Sequence, residues 1–143
     1  MLIYLDNRQS IGPNSRAGTR RGRGLNENLA REILELHTLG VGSGYTQADV
    51  TSLAKIITGW TVIGANDEDG ELGDFRFNPN RHEPGDHVVL GKSYRGDGVK
   101  QGERALTDIA QRVQANTAAL AAALQKGGFT LLNDSHFDTI TVL

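Results

Sequence analysis

Residues 23–46 read RGLNENLAREILELHTLGVGSGYT, and the fold turns on them. Leu25, Leu29, Ile33 and Leu36 recur at i, i+4, i+8 and i+11. That spacing predicts an amphipathic helix over Leu25–Leu39. Gly40 is its C-terminal stop, and Gly42-Ser43-Gly44 makes a tight connection. The polar side chains of this helix, Asn26, Glu27, Asn28, Arg31, Glu32, Glu35 and His37, are denser than a solvated face needs. They point to a buried polar network or a site.

Working outward, Thr46 reads as the N-cap of a second helix, with Asp49 three residues on in a capping-box position. Val50, Leu53, Ala54 and Ile57 form its apolar face. Gly59 and Trp60 end it, with Trp60 an anchor for the helix end. Two helices joined by a short loop form a helical hairpin. Phe75-Arg76-Phe77 alternates like a short strand, with Val88-Val89-Leu90 as its expected partner. Gly98–Gln125 is a long Ala-rich helix stopped by Gly127-Gly128. Asn7–Gly24 and Thr61–Gly73 read as loops, and Phe129–Leu143 shows no clear period. The expected architecture is therefore mainly α: a helical hairpin plus a long helix, with a small two-stranded β element.

A chain of 143 residues fits a single domain over 1–143. The net charge of −2 sets up no global field that would attract nucleic acid or an anionic membrane. Charge is nonetheless segregated. Arg16, Arg20, Arg21, Arg23 and Arg31 face one acid, Glu27, in the first part of the chain, whereas Asp67, Glu68, Asp69, Glu71 and Asp74 cluster without a base. There is no cysteine, which removes disulfides and thiolate metal sites. No apolar run reaches the ~18 residues of a membrane span. MLIYLDN is too short for a signal peptide and has no basic leader.

Three blocks carry a resemblance to a known family: RRGRGLNENLAREILELHTLG (20–40), GYTQADVTSLAKIITGW (44–60) and FRFNP with HEPGDHVVLG (75–91). YLDN and GPNSR fit as well. The chain resembles the bacterial family called domain of unknown function 1800, from about Leu2 to about Ala110. The resemblance implies a fragment covering the later part of a longer fold. It implies apolar surface left uncovered, through which the chain would self-associate. For the full-length form it implies a place in export or the cell envelope. It brings no established activity. Residues 111–143 depart from the family pattern.

Three constellations carry chemistry. Glu32 and Glu35 lie about one turn apart and, with His37, could divide acid and base roles or hold a divalent metal. Asn26, Asn28, Arg23 and Arg31 would bind around them, which suggests a hydrolase. The alternative for the same residues is an ion network, with Arg31 reaching Glu35. His82 and His87, with Glu83 and Asp86, form a candidate metal pair, or else a turn at Pro84-Gly85. The basic run Arg16–Arg23 suits a polyanion, or else pairs with the acids that follow. No nucleophile-elbow, P-loop, zincin or dinucleotide fingerprint is present.

Overall fold

The structure, a computed structural model, describes residues 7–22, 24–38, 44–126, 129–133 and 138–142. The chain divides into two compact units, residues 1–107 and 108–143.

The first unit begins with a 3₁₀ turn at Asn7–Gln9 and a four-residue α1, Gly18–Arg21. Next come α2, Asn28–Glu32, which rewinds into a π-helical segment over Ile33–Thr38, and α3, Gln47–Ile56. Strand β1 (Trp60–Val62) pairs antiparallel with β2 (Phe75–Phe77), and β3 (His87–Val89) with β4 (Lys92–Tyr94). Helix α4, Val99–Lys126, starts in this unit. In the second unit, β5 (Phe129–Asn133) pairs antiparallel with β6 (Asp138–Val142). Among the described residues, no helix is long and apolar enough to cross a membrane.

The mainly α expectation is thus corrected: the fold is mixed α and β, with three separate two-stranded sheets in place of one. The strands of the first unit are three residues long, too short to show alternation, and their pairing is set by turns. Phe75–Phe77 takes Trp60–Val62 as partner, so Trp60 opens a strand and stacks edge-on against Phe75 at 5.3 Å. Val88 and Val89 pair instead with the residues just beyond them. Between Val89 and Lys92 only Leu90 (φ 52°) and Gly91 (φ 77°) intervene. Two consecutive left-handed residues make the primed turn whose twist suits a tight hairpin.

α2 and α3 pack together, but the expected helix over Leu25–Leu39 is replaced by the short α2 and the π-helical segment, and the expected connection at residues 40–43 lies outside the described residues. α2 starts at Asn28 because the Asn26 Oδ1 accepts the Asn28 N–H at 2.9 Å, a local turn that competes with helix. Leu29, Ala30, Ile33 and Leu34 are buried and α2 packs on α3, whose Val50, Leu53, Ala54, Ile56 and Ile57 side are buried in turn. Burial of this kind contributes roughly 1.5–3 kcal/mol per large aliphatic side chain. Thr46 caps α3 as expected: its Oγ accepts the Asp49 N–H at 3.2 Å, and Asp49 Oδ2 accepts the Thr46 N–H at 2.8 Å. The other oxygen, Oδ1, accepts the Leu90 N–H at 2.7 Å, which ties the β3–β4 turn to the start of α3.

Candidate functional site

A concavity lies between the loop 10–17 with α1 and the turn 78–83. Both segments are fixed before any ligand is considered. Ser15 Oγ donates to the Gly12 carbonyl at 2.7 Å and accepts the Gly18 N–H at 3.1 Å, which folds the loop into the start of α1. On the other side, Gly59 (φ 82°) passes so close to Asn78 that a Cβ there would lie 2.5 Å from the Asn78 carbonyl. The Asn78 N–H donates to the Gly59 carbonyl at 2.8 Å, and Asn78 Oδ1 accepts the Asn80 N–H at 3.1 Å.

Four hydrogen bonds then join the two segments. Gly12 N–H donates to the Arg81 carbonyl at 2.9 Å and Ala17 N–H to the Asn80 carbonyl at 2.8 Å. The Glu83 carboxylate accepts the Asn14 N–H at 2.8 Å and the Asn14 side-chain amide at 2.6 Å. Glu83 is 2% exposed, and its own N–H donates to Thr58 Oγ at 2.8 Å. Gly12 is required here because a Cβ would sit 2.6 Å from the Glu83 backbone and carboxylate.

The pocket between these walls has a volume of about 410 Å³ and is lined by Arg16, Ala17, Arg20, Asn78, Asn80 and Arg81. Three arginines, Arg16, Arg20 and Arg81, are among its lining residues, and among the described residues no Asp or Glu lines it. Arg81 is held by a hydrogen bond from Nη1 to the Arg8 carbonyl. Such an arrangement can bind an anion by charge-assisted, forked hydrogen bonds.

The residues expected on α2 are placed differently. Glu32 and Glu35 are half-buried at the point where α2 gives way to π-helical winding. Arg23 and the side chain of His37 lie outside the described residues. Arg31 reaches back to Glu27 (3.4 Å) and across to Gln47 (2.9 Å), rather than on to Glu35. Glu27 is the hub of this network. The Thr51 hydroxyl at 2.7 Å holds its carboxyl below the usual carboxylate range; partial burial opposes this, while Gln47 and Arg31 add to it. Asn26 and Asn28 serve the turn before α2, and Asn26 also links to Ser10 Oγ through its N–H at 3.0 Å.

His82 and His87 lie on either side of the Pro84-Gly85 turn. His82 Nδ1 is 2.9 Å from the Thr58 carbonyl, and its ring meets Phe77 edge-on at 5.2 Å. The Nε2 atoms of both histidines are buried without a hydrogen-bond partner. Burial pushes the His87 imidazole below its ordinary pKa; Lys55 and His82 add to this, and Glu83 and Asp86 oppose it. Asp86 accepts the Gly96 N–H at 2.9 Å and so braces the turn. Among the described residues, no group of three His, Asp or Glu side chains is placed to hold a metal ion.

Arg81, Asn78, Asn80 and the clamp at Glu83 are what sequence reasoning missed. The basic run Arg16–Arg23 marks one wall, but nothing local signals that a residue sixty positions later completes it.

In comparison with known proteins, residues 1–124 match the family described as "Protein of unknown function (DUF1800)", beyond the point to which its motifs can be traced by eye. A glycine dehydrogenase (decarboxylating) of Vibrio parahaemolyticus is 52% identical over 44 residues, 31% of this chain and 5% of that one. The glycine dehydrogenase (decarboxylating) of Rhodopseudomonas palustris is 50% identical over 55 residues, 38% of this chain and again 5% of that one. The chain thus spans about 5% of the length of the curated relatives it matches. No solved structure matches it.

Proposed function

We propose that this chain, which belongs to the DUF1800 family of proteins of unknown function, binds a compact anionic ligand in the pocket formed by Arg16, Arg20 and Arg81. One observation carries this reading: arginines from two distant segments line one concavity that has no acid in its lining among the described residues. Arginines whose only task is solubility spread over a surface. Here one wall is hydrogen-bonded to the other, so the backbone that carries the arginines is already in place, and the exposed Arg16 and Arg20 side chains order on binding. The concavity favours a small ligand over a nucleic-acid strand, which needs a groove that tracks many phosphates. Titration calorimetry with inorganic pyrophosphate at low and moderate salt tests it. Binding that weakens with salt and falls about tenfold or more in Arg20→Ala, a loss of about 1.4 kcal/mol, supports the reading. Pyrophosphate binding unchanged in Arg16→Ala, Arg20→Ala and Arg81→Ala removes it.

A second reading keeps Glu32, Glu35 and His37 as a carboxylate or metal-assisted hydrolytic site. The π-helical winding of Ile33–Thr38 favours it, because that geometry is rare and concentrates at functional sites. Elemental analysis of the purified chain, with Glu35→Gln as control, tests it and also tests ligation by His82 and His87. Stoichiometric metal lost in Glu35→Gln supports the first site, and metal lost only in His82→Ala supports the second.

A further inference from the structure

We infer that Asn7, which does not line the pocket, is the positioning residue for Arg81 and so sets how tightly the pocket holds an anion. This rests on the anion-binding reading and concerns how that same site is controlled. Arg16 and Arg20 are exposed, whereas Arg81 is half-buried and its guanidinium is held, with Nη1 donating to the Arg8 carbonyl. That hold is only as firm as the placement of the carbonyl. Arg8 is the middle residue of the 3₁₀ turn Asn7–Gln9, and its own side chain is exposed, so burial does not fix it. The neighbouring Asn7 does. Its side chain is 1% exposed, and its amide nitrogen donates to the Ile57 carbonyl at 3.2 Å and to the Trp60 carbonyl at 3.1 Å. The Ser10 N–H closes the turn on the Asn7 carbonyl at 2.9 Å.

Residues 57–60 form the corner where α3 passes into β1. The same corner holds the segment that carries Arg81. The Asn78 N–H donates to the Gly59 carbonyl at 2.8 Å, His82 Nδ1 lies 2.9 Å from the Thr58 carbonyl, and the Glu83 N–H donates to Thr58 Oγ at 2.8 Å. The backbone of Arg81 and the carbonyl that holds its guanidinium are thus both referred to one short stretch, and Asn7 supplies the second of these links. The residue type fits this role. Both N–H groups of the Asn7 amide have a partner, while its Oδ1 is buried without one. An unpaired buried acceptor is costly, so a side chain present only to fill space would be apolar. A guanidinium held before the ligand arrives has less freedom to lose on binding. The contribution of Arg81 therefore depends on Asn7.

The experiment is calorimetry with inorganic pyrophosphate, at constant low ionic strength, on the full chain and on Asn7→Asp, Asn7→Ser, Arg81→Ala and the double variant Asn7→Asp/Arg81→Ala. Asn7→Asp sets carboxylate oxygens against two carbonyls, whereas Asn7→Ser keeps one donor. Asn7→Asp should weaken binding about fivefold or more and Asn7→Ser less, and Asn7→Asp should take nothing further from Arg81→Ala. Without anion, NMR should show the Arg81 Nε–H signal displaced in Asn7→Asp while those of Arg16 and Arg20 stay in place. A merely structural Asn7 would lower the melting temperature too, but its loss of affinity would add to that of Arg81→Ala. Such additivity, or wild-type affinity in a folded Asn7→Asp, overturns the inference and leaves the anion pocket standing. If Asn7→Asp does not fold, the same cycle run with Asn7→Ser decides on the same terms. A wild-type chain that does not bind pyrophosphate overturns the anion reading and this inference with it.

Discussion

Asn14 holds both oxygens of the buried Glu83 carboxylate, one through its backbone N–H at 2.8 Å and one through its side-chain amide at 2.6 Å. These bonds close the pocket: Asn14 belongs to the wall that carries Arg16 and Arg20, and Glu83 to the wall that carries Arg81. A carboxylate that is almost fully buried is tolerable only because it is so well supplied with donors.

Glu83→Gln replaces an acceptor with an amide that points N–H at N–H. The expected outcome is a loss of about 1.5–3 kcal/mol in stability and weaker anion binding, although no residue lining the pocket has changed. Chemical denaturation together with pyrophosphate titration checks both. Unchanged anion affinity in a destabilised but folded variant would show that the clamp serves stability alone.

Asp49 serves two elements at once, the α3 cap and the Leu90 N–H of the β3–β4 turn. Asp49→Ala should cost about 1–2 kcal/mol, more than removing the Thr46 half of the box in Thr46→Ala. A denaturation series on the two single variants and the double variant measures the difference. Equal losses would mean that the bond to Leu90 adds nothing.

Leu90 carries a left-handed backbone (φ 52°) at a position where a Cβ is unfavourable. Leu90→Gly should therefore gain up to about 1 kcal/mol from the backbone, offset by the half-buried side chain it removes. Leu90→Asn, which tolerates the same conformation, should gain in melting temperature relative to Leu90→Ala.

His87 gives a pH dependence of definite sign. Its folded-state pKa lies below the ordinary value of 6.5, because burial and the nearby Lys55 disfavour the imidazolium. As pH falls, the unfolded chain takes up this proton first. The stability linked to His87 is therefore complete above about pH 6.5 and is lost as pH falls from there through the folded-state value. Melting temperatures between pH 7.5 and pH 5 should decline, and His87→Gln should flatten the decline. Glu27, held below 4.5, adds a separate loss at more acid pH.

The helices were legible in the sequence because α3 and α4 are long enough for a 3.6-residue period to repeat, and because Thr46 and Asp49 spell out a cap. The strands were not. Three-residue segments show no period, and the partner of Phe75–Phe77 is chosen by the return of the loop from Val62, not by any residue in the strand. The switch to π-helical winding at Ile33 has no marker in the apolar stripe either. Half of the pocket could be read from the basic run at Arg16 and Arg20. The other half depends on contacts between Gly12, Asn14 and Ala17 and residues near Arg81, which sequence spacing does not reveal.

Titration of isotopically labelled protein with pyrophosphate, followed by NMR of the arginine Nε–H and backbone amide signals, tests the anion pocket most directly. The account predicts that Arg16, Arg20 and Arg81, together with the amides of Ala17 and Asn80, shift along one saturating curve with a single dissociation constant. Signals that stay in place there, or that shift only elsewhere in the chain, would contradict it.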